Sequence, residues 1–243
     1  MEESEYEQMY RLEDRHWYFA GKRSLVVSLL GRYLSKINPL VLDAGCGTGR
    51  TLAELALRYD VVGMEPFAGA LSFAARRGRT RLVQGSLEQA PFMDGAFDAV
   101  TALDVLEHCD DDRKALSEIS RILTTEGVLI ITVPAFKWLW SAHDEALHHR
   151  RRYTKAGLLL LLEQCGLVVS KISYFNFFMF PLVAITRLAG KVLNRAALGA
   201  DTDSMPSQLL NSSMNSLQRL ERMIIGFSGF PFGVSLVCVA RKR

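Results

Sequence analysis

The 243-residue sequence predicts an α/β protein: a doubly wound, seven-stranded, mostly parallel sheet with a helical insertion before the last strand. Three observations predict this fold class. Short apolar runs alternate with helix-forming segments, which is typical of a parallel sheet covered by helices on both faces. A glycine-rich turn follows the first apolar run, and a long interruption separates the sixth run from the seventh.

The first half of the predicted sheet is regular. The apolar run at 39–42 predicts the first strand, and after a turn the good helix formers at 50–57 predict the first core helix. The next three strands are predicted at 61–64, 81–84 and 97–103, with helices at 67–77 and 111–123. Acidic residues at the start of the helix at 111–123 suit its N-terminus.

The second half continues the alternation. The apolar run at 128–133 predicts the fifth strand, which Pro134 ends because proline has no backbone N–H to give to a sheet. Thr154 is suited to cap a helix at 155–165, and Gly166 to end it. The sixth and seventh strands are predicted at 167–174 and 235–240.

The same pattern divides the chain into four segments. With 49% hydrophobic residues, a chain of this length buries a sizeable core. We expect 1–38 to form an N-terminal helical cover, 39–176 the ligand-binding core, 177–230 an amphipathic helical insertion and 231–243 the last strand of the core sheet.

Composition and charge exclude several classes of protein. A net charge of +3, with basic residues spread along the chain, argues against nucleic acid as a partner. The four cysteines lie far apart without a CxxC pair, which argues against a disulfide framework and a cysteine zinc site. No apolar stretch follows the acidic N-terminus, so we expect no secretory signal and a cytoplasmic location.

The stretch "VLDAGCGTGR" is the first candidate for a ligand site. Gly45, Gly47 and Gly49 carry no Cβ, permit positive φ and let a ligand approach the backbone. A dinucleotide fold has the spacing G-x-G-x-x-G, whereas Arg50 holds the position of the third glycine here. S-adenosylmethionine (SAM), a nucleoside without phosphates, is the competing ligand. Glu65, at the end of the second strand, suits the ribose hydroxyls of either ligand.

Further motifs favour SAM. Over roughly its first two thirds the chain resembles the class I SAM-dependent methyltransferases, and most closely the type 11 group of small-molecule enzymes. The resemblance is carried by "DAGCGTG", Glu65, "QGSLEQAPFMDGAFDAV" and "LDVLEH", in this order and at these spacings. It implies a Rossmann-like methyltransferase fold with SAM as the cofactor.

The resemblance also implies which residues contact SAM. Asp43 and the glycines lie along the methionine part, Glu65 holds the ribose, and residues after the third strand face the adenine. Many relatives carry an acid at the position of Ser86; a serine hydroxyl is a weaker acceptor, so backbone groups are expected to help there. The expected cofactor contacts are Arg23, Asp43, Gly45, Gly47, Gly49, Glu65, Ser86, Leu87 and Leu103.

Two neighbouring stretches carry alternative interpretations. In similar enzymes a segment like "RHWYFAGKR" folds over the cofactor; Arg23 then pairs with the methionine carboxylate, or else is an ordinary exposed arginine. Trp17 and Tyr18 either cover the ligand or belong to the core. Glu107 and His108 either lie beside the cofactor or are a helix-start acid and a partly buried histidine.

The loop after the fifth strand, "KWLWSAHDEALHHRRRY", is the candidate for catalysis. Ligands bind at the carboxyl edge of such sheets, and histidine is the side chain best suited to proton transfer near neutral pH. We predict His143 and Asp144 as the catalytic pair and His148, Arg151 and Tyr153 as contacts of the acceptor. A solvated polar loop is the alternative.

The same loop raises the question of a metal site. Asp144, His148 and His149 have the side chains of metal ligands, but nothing in the sequence fixes a ligand geometry. We therefore expect no metal.

The insertion is the second informative region. "ISYFNFFMFPLVAIT" carries no charge, yet it is shorter than the ~20 residues that span a bilayer and contains a proline. Past it, Arg187, Lys191 and Arg195 are spaced four apart on one predicted helix face, and 210–224 predicts a second amphipathic helix. We expect the pair either to lie on an anionic membrane surface or to form a lid or a dimer contact.

These features together predict a SAM-dependent methyltransferase that acts on a small-molecule or lipid-linked acceptor. Methyl transfer is an in-line displacement that needs the acceptor held near and aligned, with a base where oxygen or nitrogen is methylated. The alternatives are a catalytically silent SAM-binding or membrane-associated interaction protein and a nucleotide-dependent oxidoreductase. We expect a cytoplasmic protein, peripheral at the inner face of the cell membrane if 177–230 contacts lipid; the oligomeric state stays open.

Overall fold

The computed structural model describes residues 3–78, 80–192 and 204–243. These residues contain seven strands in one sheet. The strands are β1 (Leu40–Ala44), β2 (Asp60–Glu65), β3 (Arg81–Gln84), β4 (Phe97–Leu103), β5 (Leu123–Pro134), β6 (Leu167–Phe175) and β7 (Ser235–Lys242). Each lies where the sequence predicts a strand.

The sheet has the order β3-β2-β1-β4-β5-β7-β6. The first five strands in this order pair in parallel, and β7 is inserted antiparallel between β5 and β6. The predicted seven-stranded, mostly parallel sheet is therefore confirmed. The chain runs from β1 to β2 and β3 on one side and then crosses to β4 on the other side of β1. The carboxyl ends of β1, β2 and β4 therefore border the crevice in which open α/β sheets bind ligands.

Helices precede, connect and interrupt the strands. They are α1 (Glu3–Leu12), α2 (Trp17–Tyr33), α3 (Arg50–Leu55), α4 (Ala68–Ala75), α5 (Asp112–Ile122), α6 (Ala142–Ala146), α7 (Lys155–Gln164), α8 (Phe180–Val192) and α9 (Gln208–Phe227), with a 3₁₀ turn at Lys137–Leu139.

Both faces of the sheet are buried, as the doubly wound prediction requires. Successive residues of a strand point to opposite faces. Leu42 and Val100 pack in a core with α5 and α7, whereas Val41 and Ala99 pack in a second core with α2 and α3. These four strand residues are fully buried.

The largest boundary error concerns β5, which begins at Leu123 rather than at 128. Leu123 pairs with Phe97 of β4, and the register then shifts before the next pair. Such an irregularity lets a strand continue through residues that the apolar pattern omits, here the polar stretch after Leu123. The loop after β5 also contains α6, which begins with a capping box between Ser141 and Asp144.

The basic face predicted for the insertion is wrong at Arg187. This residue is 7% exposed, and it lies one helical turn after Val183, which is also buried. The inner face of α8 therefore contains the first of the three predicted cations. The side chain of Lys191 and the whole of Arg195 lie outside the described residues.

The outer face of α8 is apolar, whereas the exposed side of α9 combines apolar side chains with serines and Arg219. Both helices expose large apolar side chains, namely Leu182, Ile185 and Leu188 on α8 and Leu209, Leu210, Leu220, Met223 and Phe227 on α9. Among the described helices, none is both long enough and apolar enough to cross a membrane.

A buried glutamate attaches α9 to the end of β6. Glu221 accepts hydrogen bonds from the backbone N–H groups of Asn176 (2.8 Å) and Phe178 (2.9 Å). One turn earlier, the Gln218 side-chain amide donates to Asn176 Oδ1. Burial raises the pKa of Glu221, and the backbone donors oppose that rise. The start of the insertion is therefore fixed by polar contacts inside the protein.

We expect Glu221→Ala to lower the free energy of unfolding by about 1–3 kcal/mol, because two buried N–H groups lose their acceptor. Denaturant unfolding measures the effect. Glu163→Ala, at an exposed position of α7, is the control and should change stability by less than about 0.5 kcal/mol. Equal stability of the two variants would remove Glu221 as the attachment of α9.

Candidate active site

The glycine turn between β1 and α3 lies at the carboxyl edge of the sheet. The N–H groups of Gly45 and Cys46 donate to the Met64 carbonyl, at 2.7 and 3.0 Å. Gly45, Gly47 and Gly49 have φ angles of 71°, 52° and 84°. Because side chains strain this conformation, the turn requires glycine at all three positions.

The missing Cβ atoms of the three glycines face different neighbours. A Cβ on Gly49 would lie 2.7 Å from the Cβ of Ala74 in α4, and one on Gly45 would collide with Val105 after β4. These two glycines make room for protein, which corrects the expectation that every missing Cβ makes room for a ligand. A Cβ on Gly47 would instead meet a flexible methionine tip of α1 at 2.9 Å.

Glu65, at the end of β2, is buried beneath α1. Its carboxylate accepts from the N–H groups of Gly47 (3.1 Å) and Phe67 (3.3 Å) and from the Tyr6 hydroxyl (3.3 Å). The Tyr6 ring stacks on the Phe67 ring with centroids 5.1 Å apart. Burial raises the pKa of Glu65, and the backbone donors oppose the rise. The carboxylate predicted to hold the ribose is therefore covered by an aromatic residue of α1.

Asp43, in β1, is a buried carboxylate with an incomplete set of partners. Its Oδ1 accepts from the Thr101 hydroxyl at 2.7 Å, whereas its Oδ2 has no hydrogen-bond partner among the described residues. Burial raises the pKa of Asp43 to about 7; the Thr101 hydrogen bond opposes the rise, and the charges of Glu13 and Glu65 add to it. The site therefore favours a positive charge beside Asp43.

Contacts made by Glu13, just after α1, hold the N-terminal segment over the turn. Its carboxylate accepts from the Thr48 hydroxyl and pairs with Arg77 at 2.8 Å. Arg77 also donates to the Thr48 carbonyl at 2.9 Å. The Met9 side chain lies against Gly47 within this cover.

This electrostatic environment fits SAM better than a dinucleotide. Arg77 compensates Glu13, but Asp43 and Glu65 bring to the turn two carboxylates without a cationic side-chain partner among the described residues, so a diphosphate would meet charges of its own sign. SAM instead carries a sulfonium and an ammonium group, and the unpartnered oxygen of Asp43 is an acceptor suited to an ammonium. The residues present therefore fit SAM, with Asp43 for the methionine part and Glu65 for the ribose.

The predicted partner of the methionine carboxylate is engaged elsewhere. The guanidinium of Arg23 donates to Glu54 at 2.6 Å and to the Glu13 carbonyl at 2.9 Å. Because both contacts are to protein groups, Arg23 reaches a ligand only by giving one of them up. Its role towards SAM stays a prediction.

The remaining predicted cofactor contacts lie at two strand ends. Leu103 ends β4, and Ser86 and Leu87 follow β3. Ser86 is exposed and its hydroxyl accepts from the Glu88 N–H at 3.3 Å, whereas Leu87 is buried. These positions border the same carboxyl edge, and their contacts with adenine stay predictions.

An ion pair closes the edge next to β4. Lys22 of α2 pairs with Asp104, which also accepts from the Thr132 hydroxyl at 2.7 Å, and the Tyr18 hydroxyl lies 3.4 Å from it. Burial would raise the pKa of Asp104, but Lys22 and these hydrogen bonds hold it below its usual value. The negative charge of Asp104 is thus balanced by the positive charge of Lys22, which α2 supplies.

Glu107, His108 and His149 meet at this edge. One ligand atom of each lies within 4.8 Å of the others, and the two imidazole rings are 4.8 Å apart, edge to face. Glu107 is fully buried, and neither carboxylate oxygen has a hydrogen-bond partner among the residues described. Burial raises the pKa of Glu107 well above its usual value, and burial lowers the pKa of His108 to about 4.

Asp144 is fully buried and positions a histidine. It lies 2.9 Å from Nδ1 of His149, and Arg152 donates to both carboxylate oxygens, at 2.7 and 3.0 Å. Burial would raise the pKa of Asp144, but the contacts with His149 and Arg152 hold it far below its usual value. The sequence pairs Asp144 with His143, its neighbour, whereas the structure pairs it with His149. The His143 ring lies nearby, with its centroid 6.5 Å from that of His149.

The predicted acceptor contacts divide into two kinds. Arg151 pairs with Asp112 at 2.9 Å, and the buried Tyr153 donates its hydroxyl to the same carboxylate at 2.9 Å. Both therefore attach the loop to the start of α5. His148 is exposed, with a φ of 54°. Their roles towards an acceptor stay predictions.

Sequence reasoning missed the contacts that join distant segments. Glu107 and His108 were visible in "LDVLEH", and His149 in the loop after β5, but no local spacing indicates that they meet. The ion pair between Lys22 and Asp104 likewise joins segments far apart in the sequence, and no local spacing predicts it. One sequence signal did point to Glu107 and His108. They follow the carboxyl end of the predicted fourth strand, which is where ligands bind in such sheets.

Comparisons with known proteins identify the core. Residues 42–131 match the family model described as "Methyltransferase domain". A protein of Encephalitozoon cuniculi whose name assigns it to the methyltransferases is 32% identical over 147 residues, which are 59% of this chain and 60% of that protein. The malonyl-[acyl-carrier protein] O-methyltransferase of Legionella pneumophila is 32% identical over 130 residues, 48% of this chain and 46% of the relative.

A solved structure agrees on the fold. Geranyl diphosphate C-methyltransferase of Streptomyces coelicolor, in complex with Mg²⁺, geranyl diphosphate and S-adenosylhomocysteine, superposes with a TM-score of 0.61 at 18% identity. The superposition covers 90% of this chain and 79% of that one. The matches to the two relatives span only 60% and 46% of their lengths, so they identify a methyltransferase domain rather than an acceptor.

We expect the affinity for SAM to rise by up to about tenfold per pH unit as the pH approaches 7, and to level off above it. Below about pH 7 Asp43 is protonated in the free protein and must release its proton to meet a cation. Calorimetry in two buffers of different ionisation enthalpy measures that proton release. Asp43→Asn is the control, and it should bind SAM more weakly and without this pH dependence. A wild-type affinity that is constant across this range would contradict the assignment.

Proposed function

Because residues 42–131 form a class I SAM-dependent methyltransferase domain, we propose that this protein transfers a methyl group from SAM to a small-molecule or lipid-linked acceptor. One observation supports this proposal above the others. Buried carboxylates suited to a cationic cofactor lie at the ends of β1 and β2, and a cluster of titratable side chains lies next to them after β4.

The bound cofactor supplies a methyl group that its sulfonium already activates. Glu65 and Asp43 hold the ribose and the methionine part, and the backbone of the glycine turn lies along the ligand. The hydrogen bond from the Tyr6 hydroxyl to Glu65 breaks when the ribose hydroxyls donate to that carboxylate instead. Since the reaction is a displacement, the main task of the protein is to hold the acceptor near and aligned while α1 excludes water.

The loop between β5 and α7 acts on the acceptor. His143, on α6 and half-buried, takes the proton that an oxygen or nitrogen acceptor loses. Asp144 acts through His149, whose ring it orients. His148 is exposed beside them and contacts the acceptor, whereas Arg151 and Tyr153 hold the loop against α5.

Direct binding and transfer experiments test the proposal. Calorimetry with SAM, S-adenosylhomocysteine and NAD should give binding of the first two only; binding of NAD alone would favour an oxidoreductase. Incubation with SAM labelled in its methyl group, together with small-molecule and lipid fractions, should move the label into one fraction. SAM binding without any transfer in any fraction would favour the catalytically silent alternative.

We expect His143→Ala to lower turnover about a hundredfold or more while SAM affinity stays within about twofold, because the variant loses the base and no cofactor contact. Rates of label transfer and calorimetric affinities measure the two effects. Glu145→Ala, at an exposed position of the same helix, is the control and should keep the wild-type rate. A normal rate in His143→Ala would remove this residue from the mechanism.

The exposed apolar face of α8 supports a lipid-linked acceptor at a membrane surface. Leu182, Ile185 and Leu188 are each at least half exposed. The same helix adjoins the acceptor loop, where the rings of Phe180 and Trp138 pack edge to face with centroids 5.9 Å apart. An acyl or isoprenoid chain lying on this face would bring its polar end towards the histidines of the loop.

We expect wild-type protein to float with anionic liposomes, and Leu182→Glu/Ile185→Glu to lose most of this binding because charges replace inserted apolar groups. Leu160→Glu is a matched control. Leu160 on α7 is 57% exposed, as is Leu182, but it belongs to the segment 39–176 and not to the insertion. The control should float like wild type. If wild-type protein stays unbound at low salt with both anionic and neutral liposomes, the insertion is a lid or a dimer surface.

A further inference from the structure

We propose that Glu107, His108 and His149 bind a zinc ion beside the acceptor, an inference whose chemical role rests on the proposed function. No separate signal in the sequence joins these residues, since His149 lies in the loop after β5 and the other two follow β4. The fold brings one ligand atom of each within 4.8 Å of the others.

Glu107 is the observation that points to a missing cation. The residue has no exposed surface, and both carboxylate oxygens are buried without a hydrogen-bond partner in the described part of the chain. An uncompensated buried carboxylate costs several kcal/mol, so it requires a positive charge or donors. Protonation would neutralise the carboxyl group, and its O–H would then have the free ring nitrogen of His149 within 4.8 Å as an acceptor. A cation held between the three groups instead satisfies the ionised carboxylate and both rings at once.

The cations of this region are already committed to other carboxylates. Lys22 pairs with Asp104, and Arg152 donates to both oxygens of Asp144. Arg151, in the same loop, pairs with Asp112. Lys22 and Arg152 attract Glu107 through space but make no hydrogen bond to it, and a bound metal ion would supply the direct contact.

His149 has the arrangement of a metal ligand. Its Nδ1 lies 2.9 Å from Asp144, which has no exposed side-chain surface and is held by Arg152. A histidine that binds a metal commonly donates its other ring N–H to a carboxylate, which fixes the tautomer and the ring orientation. Nδ1 is therefore the donor to Asp144, and Nε2 is left with its lone pair for a metal.

The donor set favours zinc over magnesium. Two imidazoles and one carboxylate suit Zn²⁺, whereas Mg²⁺ prefers oxygen ligands. Tetrahedral zinc with bonds of about 2.0–2.1 Å places its ligand atoms about 3.3 Å apart, so each pair of ligand atoms must close by at most about 1.5 Å. His108 and His149 sit in loops, where such a rotation requires no movement of the sheet.

Three protein ligands leave a fourth position open, as in catalytic zinc sites. An acceptor hydroxyl bound there would lose its proton more readily, because a bound cation stabilises the alkoxide. His143, whose ring lies near that of His149, would take this proton. The metal would thus bind and activate the acceptor, whereas the carboxylates of the glycine turn would bind the cofactor.

Zinc binding to the purified full chain tests the site. We expect one zinc per chain by elemental analysis, and a competition titration with a chromogenic chelator gives its affinity. Glu107→Gln keeps the size of the side chain but removes the charge, and it should bind zinc at least about a hundredfold more weakly. His148→Ala is the matched control, because it removes the exposed histidine next to His149, and it should bind zinc like wild type.

Substitution with Co²⁺ gives a second measurement that does not depend on the variants. A four-coordinate site with nitrogen and oxygen ligands should show visible absorption in the wild-type protein, even if Glu107→Gln fails to fold. The absence of both stoichiometric zinc and this absorption would overturn the proposal. Equal zinc affinity in wild type and a folded Glu107→Gln would do the same.

Two measurements on the zinc-loaded and the chelator-treated protein separate the two proposals: calorimetry with SAM and the rate of methyl transfer. Methyl transfer that continues at an unchanged rate without zinc would overturn the role of the metal in the reaction and leave the methyltransferase intact. Zinc bound at the predicted stoichiometry in a protein that binds no SAM would overturn the methyltransferase proposal and leave the site.

Discussion

Desolvation of carboxylates at the carboxyl edge of the sheet is the physical constraint on which the rest of the structure depends. Water stabilises a carboxylate far better than a protein interior does, so each buried one requires a cation or hydrogen-bond donors. Arg152 satisfies Asp144, and backbone N–H groups satisfy Glu65. Within the described part of the chain, Asp43 keeps one oxygen without a partner and Glu107 keeps two. The unmet need for positive charge therefore falls where the cofactor and the acceptor are proposed to bind.

The N-terminal helices follow from the same constraint. Lys22 of α2 compensates Asp104, and Tyr6 of α1 donates to Glu65. These helices thus do more than cover apolar surface, because they complete the polar edge that the parallel sheet leaves open. Since α2 also packs against α9, the cover, the edge and the insertion form one connected layer over this side of the sheet.

The sequence predicts features whose signals are local. Strands, the helices between them and the glycine turn follow from short apolar runs, capping residues and spacing. Contacts between distant segments have no such signal. Asp144 has a histidine next to it in the sequence, yet it binds His149, because the helix that Ser141 caps holds its carboxylate inward. The spacing of Arg187, Lys191 and Arg195 predicts one basic helix face, yet Arg187 is buried, because the face of α8 that packs inward is set by Val183 and tertiary packing.

The loop between β5 and α7 joins two environments of opposite polarity. Near its start Trp138 packs against Phe180 of α8, whose outer face is apolar. Near its end His149 meets the buried carboxylate of Glu107. An acceptor with an apolar chain and a polar, ionisable end matches both environments, whereas a wholly polar acceptor would leave the apolar face without a use. This distribution of polarity along the loop is the basis on which a lipid-linked acceptor is proposed.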